Sequence, residues 1–205
     1  MSTTSPFTEL EAVNEMLMAI GQSPVNALVG IGDVNIALAE LHKVARYVQL
    51  YGFAFNTDVG FVLTPDIDGK LLVPNGVLRV SADDKSTRLV TRRHPGGALA
   101  IWDTVLHSWA FSTPMPFRIT WGFGFEDLPE TARNYVAISS ARRFQKRILG
   151  SNELDKFNAE DEQRAWEILL RDEMAVTEKN LFRQNPSLAR YANRSGLGRR
   201  SGAFA

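Results

Sequence analysis

The sequence predicts an α+β protein: a bundle of four main helices from the N- and C-terminal parts, an inserted antiparallel β-rich lobe, and a mobile basic C-terminal tail. Three observations lead there. Apolar residues recur at three- and four-residue steps at both ends of the chain. From Phe61 the period shortens to two, and glycine and proline begin to punctuate the sequence. Beyond Arg183 all periodicity is lost. The division is a helix pair over residues 1–56, a β-rich lobe over 57–126, a second helix pair over 127–182 and a tail over 183–205.

The first helix opens at Thr8, whose spacing to Glu11 is that of a capping box. Leu10, Val13, Leu17 and Ile20 form one apolar stripe, and Gly21 and Pro24 end it. Asp33 is placed to cap a second helix from about Val34 to Tyr51, with Leu38, Leu41, Val44, Val48 and Tyr51 on its apolar face and Gly52 as its stop. An aromatic turn, Phe53 to Asn56, follows.

Short strands are expected at Phe61–Leu63, Leu71–Val73, Val77–Val80, Arg88–Thr91 and Ala98–Ile101, with one more from Pro116 to Phe123. The connections between the first five are turns rich in Pro, Asp, Asn and Gly, too short for crossovers, so an antiparallel meander is expected. Pro129 begins a third helix where its missing N–H costs nothing, and Ala132, Tyr135, Val136, Phe144 and Ile148 mark its buried side up to Gly150. Asn158 is placed to cap a fourth helix reaching about Asn180, with Ala165, Ile168, Leu169 and Val176 inward.

Composition excludes several functional classes. The chain has 205 residues, no cysteine and a formal net charge of zero. Disulfides, thiolate chemistry and cysteine-based zinc sites are therefore excluded, and no global field draws the protein to nucleic acid or an anionic membrane. The N-terminus lacks the basic start and apolar run of a signal peptide, and no stretch nears the roughly 20 apolar residues of a membrane helix. A soluble, cytoplasmically folded protein without a membrane partner is expected.

No catalytic or metal pattern emerges, and no cofactor is expected. His42, His94 and His107 are the only histidines, and no two have metal-ligand spacing. No Gly-x-Ser-x-Gly elbow accompanies a serine nucleophile, and neither His94–Gly97 nor Gly122–Gly124 has the lysine and hydroxyl of a phosphate loop. Asp66 with Asp68, and Asp83 with Asp84, are paired carboxylates of the kind glycoside hydrolysis uses. Their place in turns gives them another reading, as local hydrogen-bond acceptors. Trp102, Trp109, Phe111, Phe117, Trp121, Phe123 and Phe125 read either as the core of the β lobe or as interface anchors.

Charge is distributed unevenly. Residues 153–178 are acid-rich, including Glu160, Asp161, Glu162, Glu167, Asp172 and Glu173, while the tail carries five arginines and no acid. A solvated acidic helix face is the plain reading of the first, and a DNA-binding arm is one reading of the second.

Certain residue combinations add a resemblance. Ala12-Val13-Asn14, Ile20-Gly21 and Pro24-Val25 come first, then Phe55-Asn56, then Leu63 to Asp66 and Pro74-Asn75 with Leu78-Arg79-Val80. Glu126 to Glu130, Arg143 to Gln145 and Leu149 to Ser151 are the densest group. In this order they resemble the tail tubular protein A family, head-to-tail adaptors of short-tailed bacteriophages, over about residues 9–180. The resemblance implies a virion tail protein rather than an enzyme: a dodecameric ring joining the portal to the tail nozzle, with tail fibres as a further candidate partner. DNA would pass along its axis without sequence-specific binding. It further implies that the tail docks between portal subunits, with Arg190, Tyr191, Arg194, Arg199 and Arg200 as its anchors. Loops carrying Pro65, Asp66, Asp68, Asp83, Asp84 and His94 become candidates for facing the nozzle. Glu160, Glu162, Glu167 and Glu173 become candidates for lining the channel. A polysaccharide-degrading enzyme and a DNA-binding module acting through the tail are the alternatives. The tail arginines and tyrosine lie among residues that fit fold-on-docking.

Overall fold

A computed structural model describes residues 5–29, 32–83, 88–150 and 152–184, with side chains described for 158–177 of the last stretch. The element order is α1 (Glu9–Ala19), α2 (Asp33–Gln49), a short 3-10 turn (Ala54–Asn56), β1 (Thr57–Leu63), β2 (Val77–Ala82), β3 (Leu89–Arg93), β4 (Leu99–Asp103), β5 (Met115–Trp121), a second 3-10 turn (Phe125–Asp127), α3 (Glu130–Leu149) and α4 (Asn152–Gln184).

The capping box of α1 forms as its spacing requires. The Thr8 hydroxyl accepts from the Glu11 N–H at 3.2 Å, and the Glu11 carboxylate accepts from the Thr8 N–H at 2.8 Å. Val13 and Leu17 are buried with Ala12 and Met16. Asn14 then fastens the connector. Its amide donates to the Val25 carbonyl at 3.0 Å and accepts the Val25 N–H at 2.7 Å, satisfying the chain just beyond Pro24.

Asp33 does not cap α2. The capping position is Gly32, at φ 76°, which brings no side-chain bond, and the Asp33 carboxylate instead accepts from Gln22. The stripe of α2 is broader than its large residues suggest, because Val34, Ala37 and Ala45 are buried beside Leu41, Val44 and Val48. Tyr51 lies past the helix end and is exposed, with its ring stacked on Phe53 at 5.0 Å. Gly52 holds φ 82°, a conformation that strains any residue with a side chain, whereas the Arg79 guanidinium atom 2.5 Å from where a Cβ would stand is the end of a flexible side chain.

All strand pairs are antiparallel, but their order is not a meander. β5 is the central strand of the sheet β1-β5-β2, and β3 pairs with β4 in a separate hairpin. The reason lies in β5 itself. Its Phe117 and Ile119 are fully buried, and they join Leu63, Leu71 and Ile101 in the lobe's core. A strand this apolar is favoured at the centre, whereas β3, mostly exposed, fits an edge. The stretch Leu71–Val73 makes an isolated bridge, Leu72 to Ala100.

α3 begins at Glu130 after Pro129 and ends at Gly150 in the left-handed conformation. Ala132, Val136 and Phe144 are buried, Tyr135 is half-buried and Ile148 is exposed, because the last turn passes the edge of the core. α4 begins at Asn152, before the cap expected at Asn158. Asn158 lies inside the helix, and its amide donates to the Gln145 side chain. Ala165 and Leu169 are buried, while Ile168 and Val176 are exposed, because the seam against α3 is narrow. α4 extends to Gln184, so it passes through Arg183.

The bundle has one continuous core, contributed by all four helices together with Phe53, Phe125 and Leu128. Phe125 thus belongs to the bundle rather than to the lobe. The two cores meet at a polar joint. Gln49 is fully buried at the end of α2; its amide accepts the Phe123 N–H at 2.7 Å and donates to the Phe123 carbonyl at 3.1 Å. Asn56, also buried, donates to the carbonyls of Gln49 at 2.9 Å and Trp121 at 2.8 Å. The lobe is therefore hydrogen-bonded to the bundle where β1 leaves it and β5 returns.

Candidate assembly surfaces

Strand register determines which loops are neighbours. Leu63 at the end of β1 pairs with Met115, and Ala82 at the end of β2 pairs with Phe117. Both strands therefore leave the sheet at the end where β5 begins, away from the bundle joint at Asn56 and Trp121. The loop carrying Pro65, Asp66 and Asp68 and the turn entered at Asp83 share that end. Asp83 is exposed, and Asp84 lies outside the described residues.

The first of these loops is well ordered by its own side chains. The Asp66 carboxylate accepts the N–H groups of Asp68 at 2.9 Å and Lys70 at 2.8 Å. The Lys70 ammonium donates to Asp68 at 2.7 Å and, with that bond as the largest cause, holds the Asp68 carboxyl below its ordinary pKa; the charge of His94 acts in the same direction. His94 is thus in electrostatic reach of the loop. These carboxylates are occupied by turn geometry and a lysine, which is unlike a pair held apart across a sugar. Between them Ile67 projects fully into solvent.

A second loop is built in the same way. Asp103 at the end of β4 accepts the N–H groups of Val105 at 2.7 Å and Leu106 at 2.9 Å, and both aliphatic side chains are exposed. His107 follows at φ 50°, an uncommon conformation for a side-chain-bearing residue. The sequence reading missed this loop; its signal was an Asp followed by Thr and then two aliphatic residues with no strand partner.

The aromatic group divides between three environments. Phe117 and Phe125 are buried in separate cores, Phe111 packs against the lobe core, and Phe123 is largely exposed. Trp121 donates its indole N–H to Asp58 at 2.7 Å. Trp102 and Trp109 pack edge-to-face at 4.7 Å, with Arg92 over Trp102 and the His94 ring against Trp109. Of the remaining histidines, His42 pairs with Glu9 and His107 lies beside Trp102. Among the described residues no group of acids and histidines is arranged to hold a metal, and no helix is long and apolar enough to cross a membrane.

The four α4 glutamates that are candidates for lining a channel fall into two pairs. Glu160 and Glu167 are exposed. Glu162 accepts from Ser139 at 2.6 Å and from Arg142 at 2.6 Å, and Glu173 accepts the Ala54 N–H at 3.0 and 2.9 Å. The inner pair serves to lay α4 on α3 and on the turn after α2. Arg190, Tyr191, Arg194, Arg199 and Arg200 lie outside the described residues.

The chain is similar to known proteins over most of its length. The family model described as "Tail tubular protein" matches residues 10–179, most of the chain. The tail tubular protein A of Klebsiella phage KP34 is 28% identical over 188 residues, covering 89% of this chain and 98% of that protein. The chain therefore belongs to the tail tubular protein family, structural components of the virion tail in short-tailed phages rather than enzymes.

Proposed function

We propose that this tail protein is the adaptor ring between the portal and the tail nozzle, forming part of the channel through which DNA is ejected. One observation supports it most: the joint and the register give the molecule two opposed ends. The bundle stands at one end, and the ordered loop around Asp66 and the turn entered at Asp83 leave the lobe at the other. An adaptor needs such polarity, since it must present different chemistry to two partners. In this reading a dodecameric ring forms from bundles standing side by side, and the arginine-rich tail docks on the portal. The loops bearing Pro65, Asp66, Asp68, Asp83, Asp84 and His94 form the nozzle platform. Tail fibres would attach at the outer surface of the ring.

The channel-lining role then falls to Glu160 and Glu167, because Glu162 and Glu173 are engaged inside the subunit. Exposed acids facing DNA would repel phosphate and keep the duplex sliding rather than bound.

Light scattering after size exclusion tests the reading. Full-length protein and a chain ending at Gln184 are each mixed with the portal of the same phage. A ring-sized complex that forms with the full chain and fails with the shortened one is expected. A full-length chain indifferent to the portal would overturn the adaptor reading. Binding of duplex DNA that weakens steeply with salt and is lost with the tail would assign the arginines to nucleic acid instead.

A further inference from the structure

α4 lies on α3 as a ridge, and a groove runs along each side of it. The two grooves differ in chemistry. On the α2 side, Tyr47, Leu50, Tyr51, Tyr135 and Trp166 line a groove of about 430 Å³. Tyr47 and Tyr51 are 66% and 62% exposed, unusual for large aromatic rings with no partner beyond the subunit. Arg143 stacks on Tyr47 at 5.5 Å, and Lys43 is exposed one turn before it on α2. Glu40 of α2 is buried against Arg147 at 3.1 Å, and Glu162, whose charge reaches Tyr135 in this groove, is taken up by Arg142 and Ser139.

On the α1 side, a groove of about 380 Å³ is lined by Glu15, Ile138, Asp161 and Ile168 together with Arg142 and Arg164. Both arginines are already paired: Arg142 with Glu162 at 2.6 Å, and Arg164 with Asp161 at 3.4 Å and Glu160 at 3.6 Å. Both arginines are thus committed to acids of α4, and Glu15 has no cation partner among the described residues. Burial and the charge of Glu11 raise the Glu15 carboxyl above its ordinary pKa, a repulsion that a neighbouring cation would relieve. Ile168 and Met18 add exposed aliphatic surface to the same flank.

We infer that copies of this chain associate head to tail, the basic aromatic flank of α2 and α3 in one copy seating against the acidic aliphatic flank of α1 and α4 in the next. A flank facing its own kind would bring Lys43 and Arg143 against the same cations, which costs free energy; opposite flanks pair aromatic with aliphatic surface and cation with acid. A contact between two different patches repeats from copy to copy and generates a ring when the rotation closes. The inference rests on the ring reading above, and it identifies the faces that reading leaves unassigned.

Because the chain has no cysteine, single thiols can be introduced without background. Tyr47→Cys and Ile168→Cys proteins, each exposed at the changed site and each checked for native circular dichroism, are treated with a short bis-maleimide separately and mixed, at the highest soluble concentration. Cross-linked dimer is expected in the mixture and not in either protein alone, and a chain carrying both changes should give a ladder of multimers. Adding Arg143→Glu to the first protein should lower the dimer yield about tenfold, and Asp161→Lys in the second should restore it. No dimer in the mixture would overturn the inference, as would equal yields from one protein alone. A ladder without portal binding would retain these faces and remove the adaptor role; portal binding without a ladder would remove the faces alone.

Discussion

Thr8 and Glu11, the capping box of α1, illustrate how a residue pair translates into stability. The Glu11 carboxyl is held below its ordinary pKa of 4.5, first by the Thr8 backbone N–H and then by the Thr8 hydroxyl. A depressed folded pKa means that the stabilisation is present above the unfolded value and disappears as pH falls through the folded one. Urea unfolding of wild type and Glu11→Gln should therefore differ at neutral pH, and the difference should close well below pH 4.5. Thr8→Ala should cost about 1 kcal/mol at neutral pH through the lost cap. A wild-type and Glu11→Gln pair whose separation is the same in acid would show that the box contributes through packing rather than charge. Arg133 is a comparable single-residue tie: it donates to the carbonyls of Leu128 at 2.7 Å and Phe7 at 3.0 Å, and also to that of Glu126, so one guanidinium binds the start of α3 to the chain before α1.

At the scale of elements, the sequence revealed what local periodicity controls and concealed what distant partners control. Both helix pairs, the change of period at the lobe and the turn chemistry were legible, because each depends on neighbours within a few residues. Strand order was not, since the choice of β5 as centre depends on what β1 and β2 find to cover them across more than half the lobe. The helix caps at Asp33 and Asn158 were misplaced: the Asp33 side chain bonds Gln22 while Gly32 takes the cap position, and α4 starts six residues before Asn158, whose side chain bonds Gln145. Of the candidate sites, the Asp66 loop was legible as a turn, but the projection of Ile67 and the matching Asp103 loop were not. The division of the α4 glutamates was hidden too, because an acid facing solvent and one facing an arginine read alike. The Asp66 loop yields a prediction of its own. Asp66→Ala should leave the melting temperature nearly unchanged, since the loop is exposed, while hydrogen exchange at the Asp68 and Lys70 amides quickens at least tenfold as the loop opens locally. Unchanged exchange at those amides would show that the backbone bonds Asp66 N–H to Lys70 carbonyl and Gly69 N–H to Asp66 carbonyl hold the loop unaided.

For the whole molecule, two separate apolar cores behave as one body only as far as the joint between them allows. The bundle core and the lobe core share no buried residue. Gln49 and Asn56, both buried, connect them through backbone groups at Phe123 and Trp121 on the part-buried margin between the cores. Gln49 stands on the apolar face of α2, four residues after buried Ala45, whose carbonyl it also bonds at 3.1 Å. A leucine there would satisfy the helix pattern and bury as well, yet it would strand the N–H and carbonyl of Phe123 without their partner. Gln49→Leu should therefore destabilise the protein by about 2 kcal/mol, because the Phe123 backbone groups lose their partner at a part-buried position, despite the gain in apolar surface. Its second effect is the more diagnostic. Calorimetry of the wild type should show one transition, because opening either core breaks the joint that both use. In Gln49→Leu the lobe should melt separately and earlier, with the loss of tryptophan fluorescence preceding the loss of helical circular dichroism. The lobe is the weaker half, since its core has few fully buried residues around Phe117 and Ile119. A single coincident transition in the variant, merely shifted downward, would mean that packing of Phe125 and Phe53 couples the halves and that the amide joint only sets their orientation. In the adaptor role proposed above, the first outcome would make this joint the element that keeps the two ends in register.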